Sequence, residues 1–251
     1  MAWSRRLLGP VYKDMPKALA RMQLLTIQRT SQLTAQAMCT SQTRKTAAFR
    51  KLSVAGVVTT LAGNNSLYTP ILGAYGDGMG TNAAFFYPES IALDNAGNVF
   101  VADSGNRRIR KVDPFGVVTT LAGSGLRAYA EGVGTSASFK SPQGIAVDNA
   151  GNVYVTDMVS SRICKVTAAG VVSTLAGTGN GSRAYNDGAG ASASFFAPMS
   201  VAVDNAGNLY VADAGINRIR KLVMSSSSIS SAVGTVTRVI VGVAIFGLVV
   251  A

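Results

Sequence analysis

One thirteen-residue phrase occurs three times in this chain of 251 residues. It reads IALDNAGNVFVAD from residue 91, IAVDNAGNVYVTD from residue 145 and VAVDNAGNLYVAD from residue 201. The period is therefore 54 residues between the first two copies and 56 between the last two. Repeats of this length fold as small units that cannot cover their own apolar faces, so each unit is expected to pack against its neighbours.

Each repeat contains four short runs that favour β-strands. In the first repeat they are IALD, NVFVAD, RIRKV and GVVTTLAG, rich in Val, Ile and Thr and bounded by Gly, Asn, Asp or Pro. Asn95 and Gly97 tolerate positive φ, so the DNAGN turn is expected to join the first two runs as a hairpin. More than twenty residues then lead to the next repeat. This length carries a chain from the outer edge of one sheet to the inner edge of the next, which predicts propeller blades.

The repeats resemble NHL repeats. The resemblance rests on GVVTTLAG, a DGxGTxAxF stretch, a proline, IAVDNAGNVYVAD and NRIRKV, which recur in register over residues 56–222. It implies an all-β fold of NHL-type β-propeller blades, in which three four-stranded antiparallel blades form a partial ring, about half of the six blades that are usual in the family. The chain departs from the family pattern in having no histidine.

Three blades do not close a ring, because propellers contain about four to eight. Three explanations stay open: two chains combine into one ring, degenerate sequence at the ends supplies more blades, or the chain is a fragment of a longer ancestor. The first GVVTTLAG, at 56–63, has no recognisable blade before it, and GTVTRVIVG at 234–242 is a loose echo of it. Either segment, but not both, is expected to be the strand that joins the ends of the ring.

The chain divides into four parts by composition. Residues 1–51 form a basic leader with ten Lys and Arg against one acid, whereas the rest of the chain has thirteen against eleven. The leader resembles an organelle transit peptide, and a disordered extension is the alternative. Residues 52–223 carry the blades, and residues 224–232 form a Ser-rich linker. The basic character therefore belongs mainly to the leader.

Residues 233–251 form an apolar tail with one charge, Arg238. The tail is close to the roughly 20 residues of a membrane helix, which predicts membrane association. Small residues at 225–228 also fit a GPI-attachment signal, although the leader lacks the apolar core of a secretory signal. A buried strand pair of the propeller is the other interpretation, and targeting by the leader is the alternative localisation.

Repeated charged residues are the candidate site residues. An acid present in every repeat is better explained as structural than as catalytic, and each is expected to accept backbone or Arg hydrogen bonds. These acids are Asp94, Asp103, Asp148, Asp157, Asp204 and Asp213. The predicted basic binding surface consists of Arg108, Arg110, Lys111, Arg162, Lys165, Arg218, Arg220 and Lys221.

Several site types are excluded or disfavoured by composition. Without histidine there is no Ser/His/Asp triad and no His-ligated zinc. The two cysteines, Cys39 and Cys164, cannot form a disulfide framework, and Cys164 is expected to be a free thiol on a strand. The Gly-rich loops around Asp77, Glu131 and Asp187 lack the motifs of phosphate or calcium loops and are expected to be turns. No catalytic residue, metal or cofactor is predicted.

The function predicted from these observations is a non-enzymatic scaffold that binds a protein or glycan through its blade loops, with self-association to complete the ring. RNA binding through the repeated Arg and Lys residues is the first alternative. It is disfavoured because residues 52–251 carry a net charge of only +2 and RNA recognition usually adds stacking aromatics. A propeller enzyme of the lactonase or lyase type is the second alternative, disfavoured by the missing histidine ligands.

Overall fold

The structure, a computed structural model, describes residues 37–40, 48–52, 57–64, 75–179, 186–224 and 235–239. Within these ranges the chain is all-β and forms four antiparallel sheets. The first sheet contains β1 (Ala37–Thr40), β2 (Phe49–Leu52) and β3 (Val58–Ala62). The other three sheets coincide with the three sequence repeats and are named blades 1, 2 and 3. The predicted fold class of propeller blades is confirmed.

Each blade is a four-stranded meander with a fifth, very short strand on its outer edge. Blade 1 consists of β4 (Gly78–Met79), β5 (Pro88–Leu93), β6 (Val99–Asp103), β7 (Arg108–Val112) and β8 (Val117–Ala122). Blade 2 consists of β9 (Gly132–Val133), β10 (Pro142–Val147), β11 (Val153–Asp157), β12 (Arg162–Val166) and β13 (Val171–Ala176). Blade 3 consists of β14 (Gly188–Ala189), β15 (Pro198–Val203), β16 (Leu209–Asp213), β17 (Arg218–Val223) and β18 (Thr235–Val239).

The short outer strands show how the long connections run. In blade 1 the connection first pairs β4 with the outer strand β8 and only then reaches the inner strand β5. β9 pairs with β13 and β14 pairs with β18 in the same way. The described parts of the glycine-rich connections therefore form short strands as well as the turns that the sequence predicts.

The core lies between the sheets. One face of blade 1, with Ala92, Phe100 and Ile109, packs against Val153 and Val155 of blade 2. The equivalent face of blade 2 packs against blade 3, and the first sheet packs against blade 1. Val, Ile and Ala repeat because the second strands of blades 1 and 2, β6 and β11, are buried on both sides between neighbouring sheets.

The first sheet differs from the sequence-based expectation. GVVTTLAG at 56–63 is not an orphan strand, because β3 pairs with β2, and β2 spans the predicted boundary between the leader and the blades. The sequence contains a sign of this sheet: FRKL at 49–52 matches IRKV at 109–112 at a spacing of 60 residues. The match is difficult to recognise because most of FRKL belongs to the basic leader.

The C-terminal segment also supplies a strand. β18, which lies in the predicted apolar tail, pairs with β17 and takes the outer position of blade 3. The two segments considered for joining the ends of the ring thus belong to different sheets. Residues 240–251, the rest of the predicted membrane segment, lie outside the described residues. Among the residues that are described, no helix is long and apolar enough to span a membrane.

Candidate binding face

The strand register separates the connections into two opposite faces. Pro88 pairs with Asp103 and Asp103 pairs with Arg108, so the β6–β7 loop and the long connections share one edge of the blade. We call this edge, with its equivalents in blades 2 and 3, the loop face. The DNAGN turns and the short β7–β8 connections lie at the other edge, the turn face. The two faces carry different side chains.

On the turn face, three of the predicted structural acids close their own turns. The Oδ1 atom of Asp94 accepts hydrogen bonds from the backbone N–H groups of Ala96 and Asn98 at 3.0 and 2.8 Å. Asp148 and Asp204 make the same pair of contacts in their own turns. Partial burial of Asp204 opposes its ionisation, but hydrogen bonds from Asn208 and Ala206 hold its pKa below the usual value. These carboxylates shape hairpin turns.

Asp103 forms part of a buried ion cluster with Arg110 in blade 1. The Arg110 guanidinium donates to Asp103 Oδ2 at 2.8 Å and to Asp77 Oδ1 at 2.6 Å. It also donates to the carbonyl oxygens of Gly76 and Ala84, so it fastens the long connection to the blade. Burial raises the pKa of Asp103, and hydrogen bonds from Asn106, Phe86 and Arg110 lower it. The net pKa is about 6.

Blade 3 repeats this cluster with Arg220 in the place of Arg110. Arg220 donates to Asp213 Oδ2 at 3.2 Å and to Asp187 Oδ1 at 2.5 Å. Burial raises the pKa of Asp213, opposed by hydrogen bonds from Phe196 and Arg220. The arginines are 0% and 1% exposed, so their assignment to a basic binding surface is wrong. Sequence reasoning missed the roles of Asp77 and Asp187, although both precede their arginine by 33 residues.

Blade 2 departs from this arrangement because Cys164 stands where the arginine would be. Asp157, fully buried, accepts hydrogen bonds from the backbone N–H groups of Lys140 and Ser141, both at 2.8 Å. Burial raises the pKa of the Cys164 thiol, and the nearby Asp157 charge adds to this effect. Glu131, the counterpart of Asp77, accepts from the backbone N–H of Thr174 at 2.8 Å instead. A buried, protonated thiol replaces the cation of the other two blades.

The first arginine of the third strand lies on the loop face and stacks on a tyrosine. The Arg108 guanidinium lies 3.9 Å from the centre of the Tyr75 ring, and that of Arg162 lies 4.0 Å from the Tyr129 ring. Arg108 also donates to the Ser124 carbonyl oxygen at 2.7 Å. Gly125 has a φ of 89°, which favours glycine, and a Cβ there would also displace the Arg108 guanidinium, whose Nη1 would lie 2.5 Å away. The arginines are held flat against the connections.

The remaining predicted basic residues are distributed over the blades. Lys111 and Lys165 are half-buried on the third strands, opposite the aromatic residues Phe100 and Tyr154 in the register. Lys221 lies 5.6 Å from the centre of the Tyr210 ring. Arg218, half-buried, begins β17 at the loop face. The eight predicted cations therefore do not form one surface, and Arg108, Arg162 and Arg218 are the three at the loop-face edge.

A groove opens on the loop face beside this stack. It has a volume of about 450 Å³ and is lined by Tyr75, Phe86, Gly105, Asn106, Arg107, Arg108 and Gly125. Arg107 takes a left-handed conformation with φ of 55° and donates to the Gly125 carbonyl oxygen at 3.1 Å. Two aromatic rings and two guanidinium groups therefore converge on one concave site.

The groove presents guanidinium groups and aromatic rings, and among the described residues no metal site is formed. Guanidinium groups recognise carboxylates by charge-assisted hydrogen bonds, and aromatic rings supply apolar contact area. Within the described ranges, no group of three or more His, Cys, Asp or Glu side chains is placed to hold a metal ion. The groups in the groove are of the kinds that recognise carboxylates and aromatic rings.

Comparison with known proteins identifies the type of repeat that forms the blades. An NHL repeat model matches residues 85–112 and 139–165, which lie in blades 1 and 2 and the connections before them. The NHL repeat-containing protein 2 of Bos taurus is 35% identical over 95 residues, covering 37% of this chain and 13% of the relative. The Protein SUPPRESSOR OF QUENCHING 1, chloroplastic, of Arabidopsis thaliana is 32% identical over 106 residues, covering 41% of this chain and 10% of the relative. The matches thus span about a tenth of each relative's length.

Solved structures agree with the fold. A structural genomics protein of unknown function from Bacteroides thetaiotaomicron superposes with a TM-score of 0.56 at 22% identity, covering 74% of this chain and 44% of that one. An auxiliary nutrient binding protein from the same species gives 0.54 at 16% identity, covering 75% and 45%. The sheets and these likenesses define a β-propeller type of protein. Two of the three repeats match the NHL repeat model, and these two form blades 1 and 2.

Proposed function

We propose that this chain is a non-enzymatic scaffold that binds a protein partner through its loop face. The observation that carries the proposal is the groove of about 450 Å³, where Tyr75 and Phe86 meet Arg107 and Arg108. Aromatic residues and arginine are enriched at the energetic centres of protein interfaces. The segment that fits this groove presents a carboxylate beside an apolar or aromatic side chain.

The supports of the groove favour binding to a preformed surface. Asp103 accepts from the Phe86 backbone N–H at 2.8 Å and from Asn106 Nδ2 at 2.9 Å, so one buried carboxylate positions two groove residues. Arg110 holds the preceding connection to the same carboxylate. A site positioned by buried contacts loses little conformational entropy on binding, which favours affinity.

The distribution of charge favours the loop face over the turn face. The described turns contain four aspartates, Asp94, Asp113, Asp148 and Asp204, and no Lys or Arg. Their carboxylates are engaged with the backbone of their own turns, as Asp113 shows by accepting from Phe115 and Val117. The loop face has the cations of the groove together with Arg127 and Lys140, and its carboxylates Asp77 and Asp187 are paired with the buried Arg110 and Arg220. An acidic partner segment is attracted to the loop face.

The arrangement of the tyrosines disfavours RNA as the partner. Tyr75 and Tyr129 each have one ring face covered by an arginine, which limits the stacking surface that single-stranded RNA uses. Filter binding with RNA across a salt series separates the two functions. A steep loss of RNA retention with salt, abolished by Arg107→Ala, would replace the protein-binding proposal with RNA binding.

Site-specific photo-crosslinking tests the proposal. A photoreactive amino acid replaces Arg127, on the loop face, or Phe115, which is 84% exposed on the turn face and serves as the matched control. We expect a protein adduct in cell extract from position 127 but not from 115, and we expect Arg107→Glu to reduce its yield. Equal labelling from both positions, or adducts indifferent to Arg107→Glu, would contradict the proposal.

A further inference from the structure

The outward face of blade 3 is less covered than the same face of the other blades. Its residues Ala202, Tyr210, Ala212 and Ile219 are all half-buried. The equivalent residues of blades 1 and 2 are all buried by the next blade: Ala92, Phe100, Ala102 and Ile109, and Ala146, Tyr154, Thr156 and Ile163. The side chains of this face are those of a blade junction whose second half is absent from the described residues.

The first sheet has the opposite uncovered face. Val58 is 52% exposed, whereas its equivalents Val118 and Val172 are 1% and 2% exposed in junctions with the preceding sheet. The other side of the first sheet is covered, because Phe49 is 1% exposed and packs against Phe85 of the connection before blade 1. The first and the last of the described sheets therefore show the two different halves of one type of junction.

Every junction in the structure joins these two kinds of face in the same order. The first sheet supplies Phe49 and Ala62 to Val99 and Val101 of blade 1. Blade 1 supplies the corresponding face to blade 2, and blade 2 supplies it to blade 3. The face of blade 3 therefore fits a surface like that of the first sheet, where Val58 lies. Because Val58 is 52% exposed, this part of the first sheet is not covered by blade 3 among the described residues.

We propose that two copies of this chain close one ring by joining blade 3 of each copy to the first sheet of the other. Each copy has four sheets, the first of them three-stranded, so two copies give a ring of eight sheets, and closed propellers contain about four to eight blades. The contact is heterologous, and two such contacts related by a twofold axis close the assembly. This interface is separate from the loop face and does not depend on the proposed function.

Light scattering after size-exclusion chromatography tests the assembly with the whole chain. We expect a particle of twice the 25.9 kDa chain mass at micromolar concentration. Val58→Arg and Ile219→Arg, which place a charge on opposite ends, should each raise the dimer dissociation constant by about tenfold or more. Phe115→Arg, on the exposed turn face, is the control and should leave the dimer unchanged. A monomeric wild type, or dimers indifferent to both end variants, overturns the proposal.

Mixing the two end variants tests whether the contact is heterologous. The Val58→Arg chain keeps an intact blade 3 face, and the Ile219→Arg chain keeps an intact first sheet. One native contact can therefore form between them, and the equimolar mixture should dimerise more strongly than either variant alone. Recovery also shows that both variants are folded. If the mixture stays monomeric while the wild type dimerises, the ends do not pair in this order and the proposal fails.

Discussion

At the scale of single residues, the buried arginines decide how the connections are held. Arg110 has four acceptors, two carboxylates and two backbone carbonyl oxygens, at distances from 2.6 to 3.1 Å. Removing one partner of a buried ion pair leaves the other charge unsatisfied, which costs more than the pair itself contributes. The arginine is thus structural although its sequence context, RIRKV, suggests a solvated basic strand.

Arg110→Met should lower the free energy of unfolding by about 3–5 kcal/mol, because Asp103 would stay buried without a cation. Urea denaturation measures this. Lys111→Met is the matched control on the adjacent position of the same strand and should change stability by less than about 1 kcal/mol. Equal effects of the two substitutions would show that the ion cluster does not hold the connection.

The titration of Asp103 gives a pH dependence with a definite sign. Its native pKa is about 6, above the roughly 3.9 of an unfolded aspartate, so the native state binds more protons between these values. The stability contributed by this group therefore decreases as pH rises from about 4 to about 6. Urea titrations should show the wild type gaining stability relative to Asp103→Asn as pH falls through this window.

Asp204 provides the control of opposite sign. Its native pKa is held below the usual value, so its contribution is present above the pKa of the unfolded chain and is lost as pH falls through the native pKa. The wild type should accordingly lose stability relative to Asp204→Asn at about pH 4 and below. If the stability difference from the wild type changed with pH in the same direction for both substitutions, Asp103 would not have the raised pKa of a buried carboxylate.

Cys164 should be unreactive in the native protein. Its thiol is fully buried and burial raises its pKa, whereas alkylation requires an accessible thiolate. In a Cys39→Ser background, iodoacetamide at neutral pH should label the chain only after urea is added, as mass spectrometry would show. Stoichiometric labelling without urea would mean that the blade 2 core opens readily.

At the scale of elements, close approach of neighbouring inner strands limits what the junctions accept. A Cβ at Gly144 of β10 would lie 2.6 Å from the Ser200 Cα of β15, with backbone atoms on one side and Thr156 Oγ1 on the other. No flexible side chain end can move to make room for it. The φ of Gly144 is not in the positive region, so backbone conformation does not require glycine here. The close packing against β15 does.

Gly144→Ala should therefore destabilise the fold by about 1–3 kcal/mol through overpacking between blades 2 and 3. Ser90 occupies the same position in blade 1 and already has a Cβ there, so Ser90→Ala is the control and should cost less than about 0.5 kcal/mol. Thermal denaturation followed by circular dichroism compares the two. A neutral Gly144→Ala would mean that the inner strands separate easily.

The elements of the blades could be predicted from the sequence because their strands are short, β-branched and bounded by DNAGN turns. The ion clusters could not, because Asp77 and Arg110 are 33 residues apart and meet only through the path of the long connection. The first sheet was missed since β1 lacks the repeated phrase and β2 lies among the cations of the leader. Repetition identifies strands more readily than the contacts between them.

At the scale of the whole molecule, the first sheet makes part of the basic leader a component of the propeller. Phe49 contacts Phe85 edge to face, with ring centroids 4.6 Å apart. Phe49→Ala should cost about 3–5 kcal/mol, as measured by urea denaturation, because both rings lie in the core between the first sheet and blade 1. Phe115→Ala, on the exposed turn face, should be neutral. If Phe49→Ala left the free energy of unfolding unchanged, the first sheet would not contribute to the core next to blade 1.

The separation of charge between the two faces has a consequence for how the molecule meets its surroundings. The described turns of the turn face carry four aspartates and no Lys or Arg, whereas the loop face carries arginines together with acids, so the turn face is the more acidic of the two. In dilute salt, where such fields reach about 30 Å, an approaching anionic body turns the loop face toward itself before contact. For the proposed binding of an acidic partner to the loop face, the association rate should therefore fall as salt is added.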